Sequence, residues 1–108
     1  MKLGRDYYNN GVTLDEFKRS TTADRPPADL PPPLLALWLD ARGNWKAAHE
    51  TAQDIKDASG SWIHAYLHRK EGDLGNAGYW YQRAGRPERR GSLAAEWDEI
   101  VTAMLNDE

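Results

Sequence analysis

Glycine and helix-capping residues recur at regular intervals along most of this 108-residue sequence, and they divide it into short segments. Within the segments, apolar residues recur every three or four positions, which is the spacing of an amphipathic helix. Glycine commonly ends a helix, and an Asn, Asp, Ser or Thr side chain commonly caps the start of one. These signals predict helices over residues 14–20, 34–42, 45–58, 62–71, 74–84 and 93–106, with Gly60 ending the third and Ser61 opening the fourth.

The choice of apolar residues favours the same fold class. The chain has 14 Ala and 11 Leu but only 2 Val and 3 Ile, which favours helices over β-strands. Short connections between consecutive helices favour antiparallel pairs. We therefore predict an all-α fold of two stacked antiparallel helical hairpins, with a C-terminal helix that caps them.

Five of the six prolines lie between residues 26 and 33, where they separate two regions of the chain. Proline lacks a backbone N–H and is excluded from helix interiors, so this stretch is predicted to be an extended linker. A capping box of Thr13 and Glu16 predicts a short helix before the linker. We thus expect an N-terminal arm over residues 1–33 and a helical domain over residues 34–108.

Composition also excludes several classes of protein. The absence of cysteine excludes disulfide bonds, thiolate nucleophiles and zinc sites built on sulfur. No segment resembles a signal peptide or a membrane span, so we expect a cytoplasmic protein with no membrane partner. The net charge of -3 argues against a nucleic-acid partner, despite four Arg between residues 83 and 90. Because Glu96, Asp98 and Glu99 follow this basic turn, a homodimer in which the two segments meet is also expected.

A short motif occurs twice along the chain, at an offset of 29 residues. The two copies are Gly43-Asn44-Trp45-x-x-Ala48 and Gly72-Asp73-Leu74-x-x-Ala77. Each copy lies between two predicted helices, so each marks the turn of a helical hairpin.

These hairpins resemble the tetratricopeptide repeat, a family of helical pairs that mostly bind other proteins. The resemblance implies that Ala65 and Ala77 lie where two helices cross, and that Tyr81 and Ala84 face the core. The phrase HAYLHR, followed by YWYQRAGRP, also resembles a group of short bacterial proteins, and that resemblance implies no activity.

Two histidines stand out in the second repeat. His64 and His68 align with Leu35 and Leu39 of the first repeat, so two imidazoles replace apolar side chains. Together with Glu71 they fall within about 60° on one face of the predicted helix, a spacing that suits a metal ion. Three interpretations are open: a polar core in which both rings find hydrogen-bond partners, a pocket for a ligand or partner, and a metal site.

Three consecutive aromatic residues, Tyr79, Trp80 and Tyr81, spread over about 200° of one helix and cannot all face the core. Since Tyr81 takes a core position in the resemblance, we expect Trp80 to be the exposed member. Exposed aromatic residues beside Arg are common at binding hot spots. The candidate residues for partner binding are Trp62, Tyr66, Tyr79, Trp80 and Arg83.

No nucleophile elbow, metalloprotease motif or phosphate-binding loop is present in the sequence, which favours a binding protein over an enzyme and implies no cofactor. The resemblance favours a protein-interaction module that binds another protein or a peptide segment. The alternative is a ligand-binding or enzymatic protein with a pocket around His64 and His68.

Overall fold

The structure of this protein is a computed structural model, which describes residues 11–106. Over these residues the fold is all-helical, with six helices and no strand. The helices are α1 Leu14–Ser20, α2 Pro32–Ala41, α3 Trp45–Gln53, α4 Ala58–Lys70, α5 Leu74–Ala84 and α6 Leu93–Leu105. The predicted fold class is therefore confirmed. None of these six helices is long and apolar enough to cross a lipid bilayer.

Local capping explains most of the helix starts. Thr13 and Glu16 form the predicted capping box of α1, in which each side chain accepts from the backbone N–H of the other residue. Asn44 and Asp73 cap α3 and α5 by accepting from the backbone N–H three residues further on. The prediction that the proline stretch ends before the second helix is wrong, because α2 begins at Pro32. Proline is tolerated there, since the first-turn N–H groups have no partner within the helix.

The boundary between α3 and α4 also differs from the prediction. Helix α3 ends at Gln53, and Asp57 caps α4 by accepting from the backbone N–H groups of Ser59 and Gly60. Gly60 is therefore inside α4, where it does not end a helix. A Cβ at this position would lie 2.4 Å from the backbone oxygen of Ile55. Glycine is required here because the chain that leads into α4 passes directly against the helix.

Helix α4 is the centre of the fold. It packs against α2, α3, α5 and α6, and its residues 62–68 are all buried. Helices α2 and α3 form one hairpin and α4 and α5 form the next, while α6 packs on α2 and α4. Among the described helices, α5 packs against α4 alone, and α3 and α5 lie on α4 without packing against each other. The side of α4 between α3 and α5 is where the histidines lie.

The described part of the N-terminal arm contributes to the same core. Phe17 of α1 is fully buried, and its ring centroid lies 5.9 Å from that of Trp97 in α6. The Trp38 indole N–H of α2 donates to the backbone oxygen of Ser20. Helix α1 is thus held by apolar packing at its middle and by a hydrogen bond at its end.

Buried carboxylates organise the opposite side of α4. Glu96 is fully buried and accepts from the Trp62 indole N–H at 3.2 Å and from the Tyr81 hydroxyl at 2.6 Å. Tyr66 donates to buried Asp40 at 2.9 Å. Burial, followed by the neighbouring carboxylate, raises the pKa of both Tyr hydroxyls, so they remain protonated donors.

The acidic residues of α6 pair within the chain. Arg69 contacts Glu96, Lys18 contacts Asp98, and Arg89 contacts Glu99, at distances of 3.0 to 3.1 Å. These contacts pair the three acidic residues that the sequence suggested for a second copy of the chain, and Arg89 of the basic turn is one of the partners. A homodimer stays a prediction, and the acidic residues expected to serve it are paired within the chain.

Candidate functional site

All three histidines of the chain meet in one place. His49 comes from α3, and His64 and His68 come from α4. His49 Nε2 and His64 Nε2 are 2.9 Å apart, and the ring centroids of the three residues are separated by 4.5 to 5.1 Å. One ring nitrogen from each histidine lies within 4.8 Å of the other two. We call these three residues the histidine cluster.

Two histidines of the cluster were predicted from sequence and one was missed. His64 and His68 are one helical turn apart, so their common face follows from α4 alone. His49 reaches them because α3 packs against α4. In the sequence, His49 lies four residues after Trp45 and therefore on the same face of α3 as Trp45. The direction of that face became clear only from the packing of α3 on α4.

Two tryptophans hold the imidazole rings in place. Trp45 stacks on His49 with a centroid distance of 4.9 Å, and its indole N–H donates to the backbone oxygen of Leu67. Trp80 of α5 stacks on His64 with a centroid distance of 4.0 Å and an interplanar angle of 7°. Each stacked tryptophan covers one face of its histidine ring and limits the rotation of that ring.

A carboxylate sets the orientation of the third ring. Glu71 Oε2 lies 2.6 Å from His68 Nδ1, and the side-chain amide nitrogen of Asn76 lies 3.4 Å from His68 Nε2. A carboxylate at Nδ1 favours a proton on that nitrogen and leaves the lone pair on Nε2. Histidines that bind metals are commonly oriented in this way.

The electrostatics of the cluster favour neutral imidazoles. Burial, together with the neighbouring His49 and His68, lowers the pKa of His64 to about 4. Burial and His68 also lower the pKa of His49 from its ordinary value. A metal ion binds the deprotonated nitrogen of a neutral imidazole, so the cluster carries at least two rings in the binding-competent form at neutral pH.

Glu71 does not join His64 and His68 as a third ligand of one site, as its helical position predicted. It forms a second group with His68 and Asp73, and both carboxylates of that group are exposed. Asp73 already caps α5. The role of Glu71 in the histidine cluster is therefore to orient His68.

The hydrogen bonds of the cluster are also compatible with a polar core. Within residues 11–106, every buried side-chain nitrogen or oxygen has a hydrogen-bond partner. Hydrogen bonding alone therefore does not distinguish a polar core from a binding site. The distinguishing feature is the convergence of three ring nitrogens, which a polar core does not require.

The structure does not place the predicted partner-binding residues on one face. Trp62 and Tyr66 are buried in the core, because their polar atoms bond to Glu96 and Asp40. The prediction that Trp80 is the exposed aromatic is wrong, since it is half-buried against His64, and Tyr79 is 51% exposed instead. The remaining candidate, Arg83, is exposed; its guanidinium donates to the Tyr79 hydroxyl and lies over the Trp80 ring.

Comparisons of this chain with protein-family models, with curated proteins and with solved structures found no match.

Proposed function

We propose that this protein binds a divalent transition-metal ion through His49, His64 and His68. The observation that carries the proposal is the convergence of one ring nitrogen from each histidine within 4.8 Å, although the three come from two helices. Around a tetrahedral ion with metal–nitrogen distances near 2.0 Å, ligand nitrogens are separated by about 3.3 Å. His49 Nε2 and His64 Nε2 lie 2.9 Å apart, slightly closer than this value, and the three nitrogens all lie within 4.8 Å of one another.

The donor set selects a class of metal. Imidazole nitrogen suits zinc, copper, nickel, cobalt and iron, whereas magnesium and calcium prefer oxygen ligands. Three protein ligands are also the number that leaves a coordination position for water or for another ligand. The half-buried position of His49 provides access from solvent.

The experiment uses the full chain without a polyhistidine tag, after removal of metal with EDTA. Calorimetric titration with zinc, cobalt and nickel is expected to show one ion bound per chain, and magnesium and calcium are expected to show none. A ligand at about 100 times its Kd raises the free energy of unfolding by about 2.7 kcal/mol, which a thermal melt detects.

Matched variants connect binding to the cluster. His49→Gln removes one ligand and is expected to abolish tight binding. Lys46→Gln, on the same helix, changes an exposed side chain and is expected to bind as the wild type does. Absence of zinc, cobalt and nickel binding, or equal binding by the wild type and His49→Gln, would contradict the proposal.

Protein interaction is the second candidate function, and the exposed side of α5 favours it. Leu74 is 65% exposed and Tyr79 is 51% exposed, and they are the exposed large hydrophobic residues within the described chain. Arg83 lies beside Tyr79 on the same helix. We propose the exposed surface of α5, and not the predicted face with Trp62 and Tyr66, as the binding surface for another protein or a peptide.

A cross-linking pull-down tests this second candidate. The wild type and Lys46→Gln are expected to capture the same partner, and a double variant Leu74→Ser with Tyr79→Ser is expected to lose it. Capture of the same proteins by all three would exclude this surface.

A further inference from the structure

A cavity of about 170 Å³ adjoins the histidine cluster. It lies between α3, α4 and α5, near the connection from α3 to α4. Its lining includes His64 and Trp80 on one side and Gln53, Lys56, Ser61 and Arg83 on the others. His64 belongs to both the cavity and the histidine cluster, so the cavity and the cluster share this one side chain.

The charged side chains of this cavity are both positive. Neither Lys56 nor Arg83 forms an ion pair with a carboxylate in the part of the chain that the structure describes, whereas Lys18, Arg69, Lys70 and Arg89 each do. Arg83 is held by the Tyr79 hydroxyl at 3.1 Å and by the Trp80 ring, with its guanidinium carbon 5.3 Å from the ring centroid. These contacts leave the remaining N–H groups of the guanidinium available to an anion.

Size restricts the ligand further. A cavity holds one water molecule when about 10 to 15 Å³ is open to the centre of that molecule, so this cavity has room for a small anion. The neutral donors Gln53 and Ser61 add hydrogen-bonding capacity on the other walls.

We propose that this cavity binds a small carboxylate or other oxyanion, which takes the open coordination position of the metal ion and pairs with Arg83 and Lys56. The inference rests on the proposed metal site. The proposal adds the chemical class of the ligand to the metal site, because an anion is attracted both by a divalent ion and by a guanidinium that has no carboxylate partner among residues 11–106.

Cobalt(II) serves as the metal probe, since its visible absorption reports a change of coordination. The cobalt-loaded protein is titrated with sodium acetate, and sodium perchlorate keeps the ionic strength constant. We expect a saturable change of the absorption bands with acetate and none with perchlorate alone.

Variants then locate the anion. Arg83→Gln and Lys56→Gln are each expected to weaken acetate binding about tenfold, while cobalt affinity stays within about twofold of the wild type. Lys46→Gln removes a positive charge from α3 outside the cavity and is the control for general electrostatics; its acetate affinity is expected to match that of the wild type.

Cobalt binding distinguishes a failure of the anion proposal from a failure of the metal-site proposal. If cobalt binds but acetate causes no saturable change, or if Lys46→Gln weakens acetate binding as much as Arg83→Gln does, this inference is wrong and the metal site stands. If cobalt does not bind, the proposed function is wrong, and the bridging anion is excluded with it.

Discussion

His49 Nε2 and His64 Nε2 lie 2.9 Å apart, although the two residues are separated by 15 positions and belong to different helices. In the metal-free protein the two neutral rings satisfy each other, since one Nε2 donates a proton that the other accepts. The same short distance places both nitrogens near one possible ion position, where each can offer a lone pair once the shared proton moves to Nδ1 of its own ring.

Replacement of both α4 histidines tests whether they serve the fold. In His64→Leu with His68→Leu, the lost partners are His49 and Glu71, which are accessible to water, so their solvation offsets the lost hydrogen bonds. Functional polar groups often reduce stability, and Leu fills similar volume. We expect the metal-free variant to unfold with a free energy within about 1 kcal/mol of the wild type or above it, and to show no zinc-dependent rise in Tm.

Thermal melts in EDTA, with and without excess zinc, measure both quantities. A loss of about 2 kcal/mol in the metal-free variant would favour the polar-core interpretation. In a domain of this size, each kcal/mol of lost stability lowers the melting temperature by roughly 4 to 8 °C.

The metal-free protein is expected to lose stability as the pH falls below the ordinary histidine range. The pKa of His64 is lowered from 6.5 to about 4, so between these values the unfolded chain binds a proton that the folded chain does not. The contribution of His64 to the free energy of unfolding is therefore complete above pH 6.5, and it decreases as the pH falls towards 4. One group contributes about 1.4 kcal/mol per pH unit in this window.

Urea unfolding at several pH values checks this slope, with His64→Leu as the comparison. The variant lacks the titrating ring, so its stability is expected to change less over the same range. Equal slopes for the wild type and the variant would show that His64 keeps its proton affinity on folding.

Glu71 is expected to act as a positioning residue for His68. Glu71→Gln keeps the size of the side chain but removes the charge at His68 Nδ1, which weakens the preference for a lone pair on Nε2. Loss of such an orienting partner commonly lowers metal affinity about 10- to 100-fold. Competition with a chromophoric chelator measures the affinity, and Asp24→Asn, an exposed acidic residue outside the cluster, is the matched control.

A purely structural role for Glu71 predicts a different result. In that case Glu71→Gln changes the melting temperature of the metal-free protein and leaves zinc affinity equal to that of Asp24→Asn.

Two glycines in helices are expected to respond in opposite directions to alanine. At Gly60 a Cβ would lie 2.4 Å from the Ile55 backbone oxygen, and overpacking of this kind typically lowers stability by about 1 to 3 kcal/mol. At Gly75 of α5 a Cβ has no neighbour within 4 Å, so alanine is expected to raise stability by up to about 1 kcal/mol. Chemical denaturation of both variants measures the difference, and equal effects would contradict the close approach at Gly60.

The sequence by itself determined the all-helical class and most helix ends. Thr13 caps α1 as predicted, and Asn44 and Asp73 cap helices that begin at the predicted residues 45 and 74. A cap bonds to backbone N–H groups two or three residues away and needs no other part of the fold. Gly60 was misinterpreted because glycine serves equally as a helix end and as a point of close approach. Gly60 is a point of close approach because the Ile55 backbone packs directly against it.

Only the tertiary structure decided the composition of the candidate site. The shared face of His64 and His68 follows from helical spacing, whereas His49 joins them through the packing of α3 on α4. Packing also places Trp62 in the core and not on the predicted partner surface, since the Trp62 indole N–H donates to buried Glu96 of α6. Helical periodicity specifies which residues share a face, but the direction of that face depends on how the apolar surfaces of distant helices fit together.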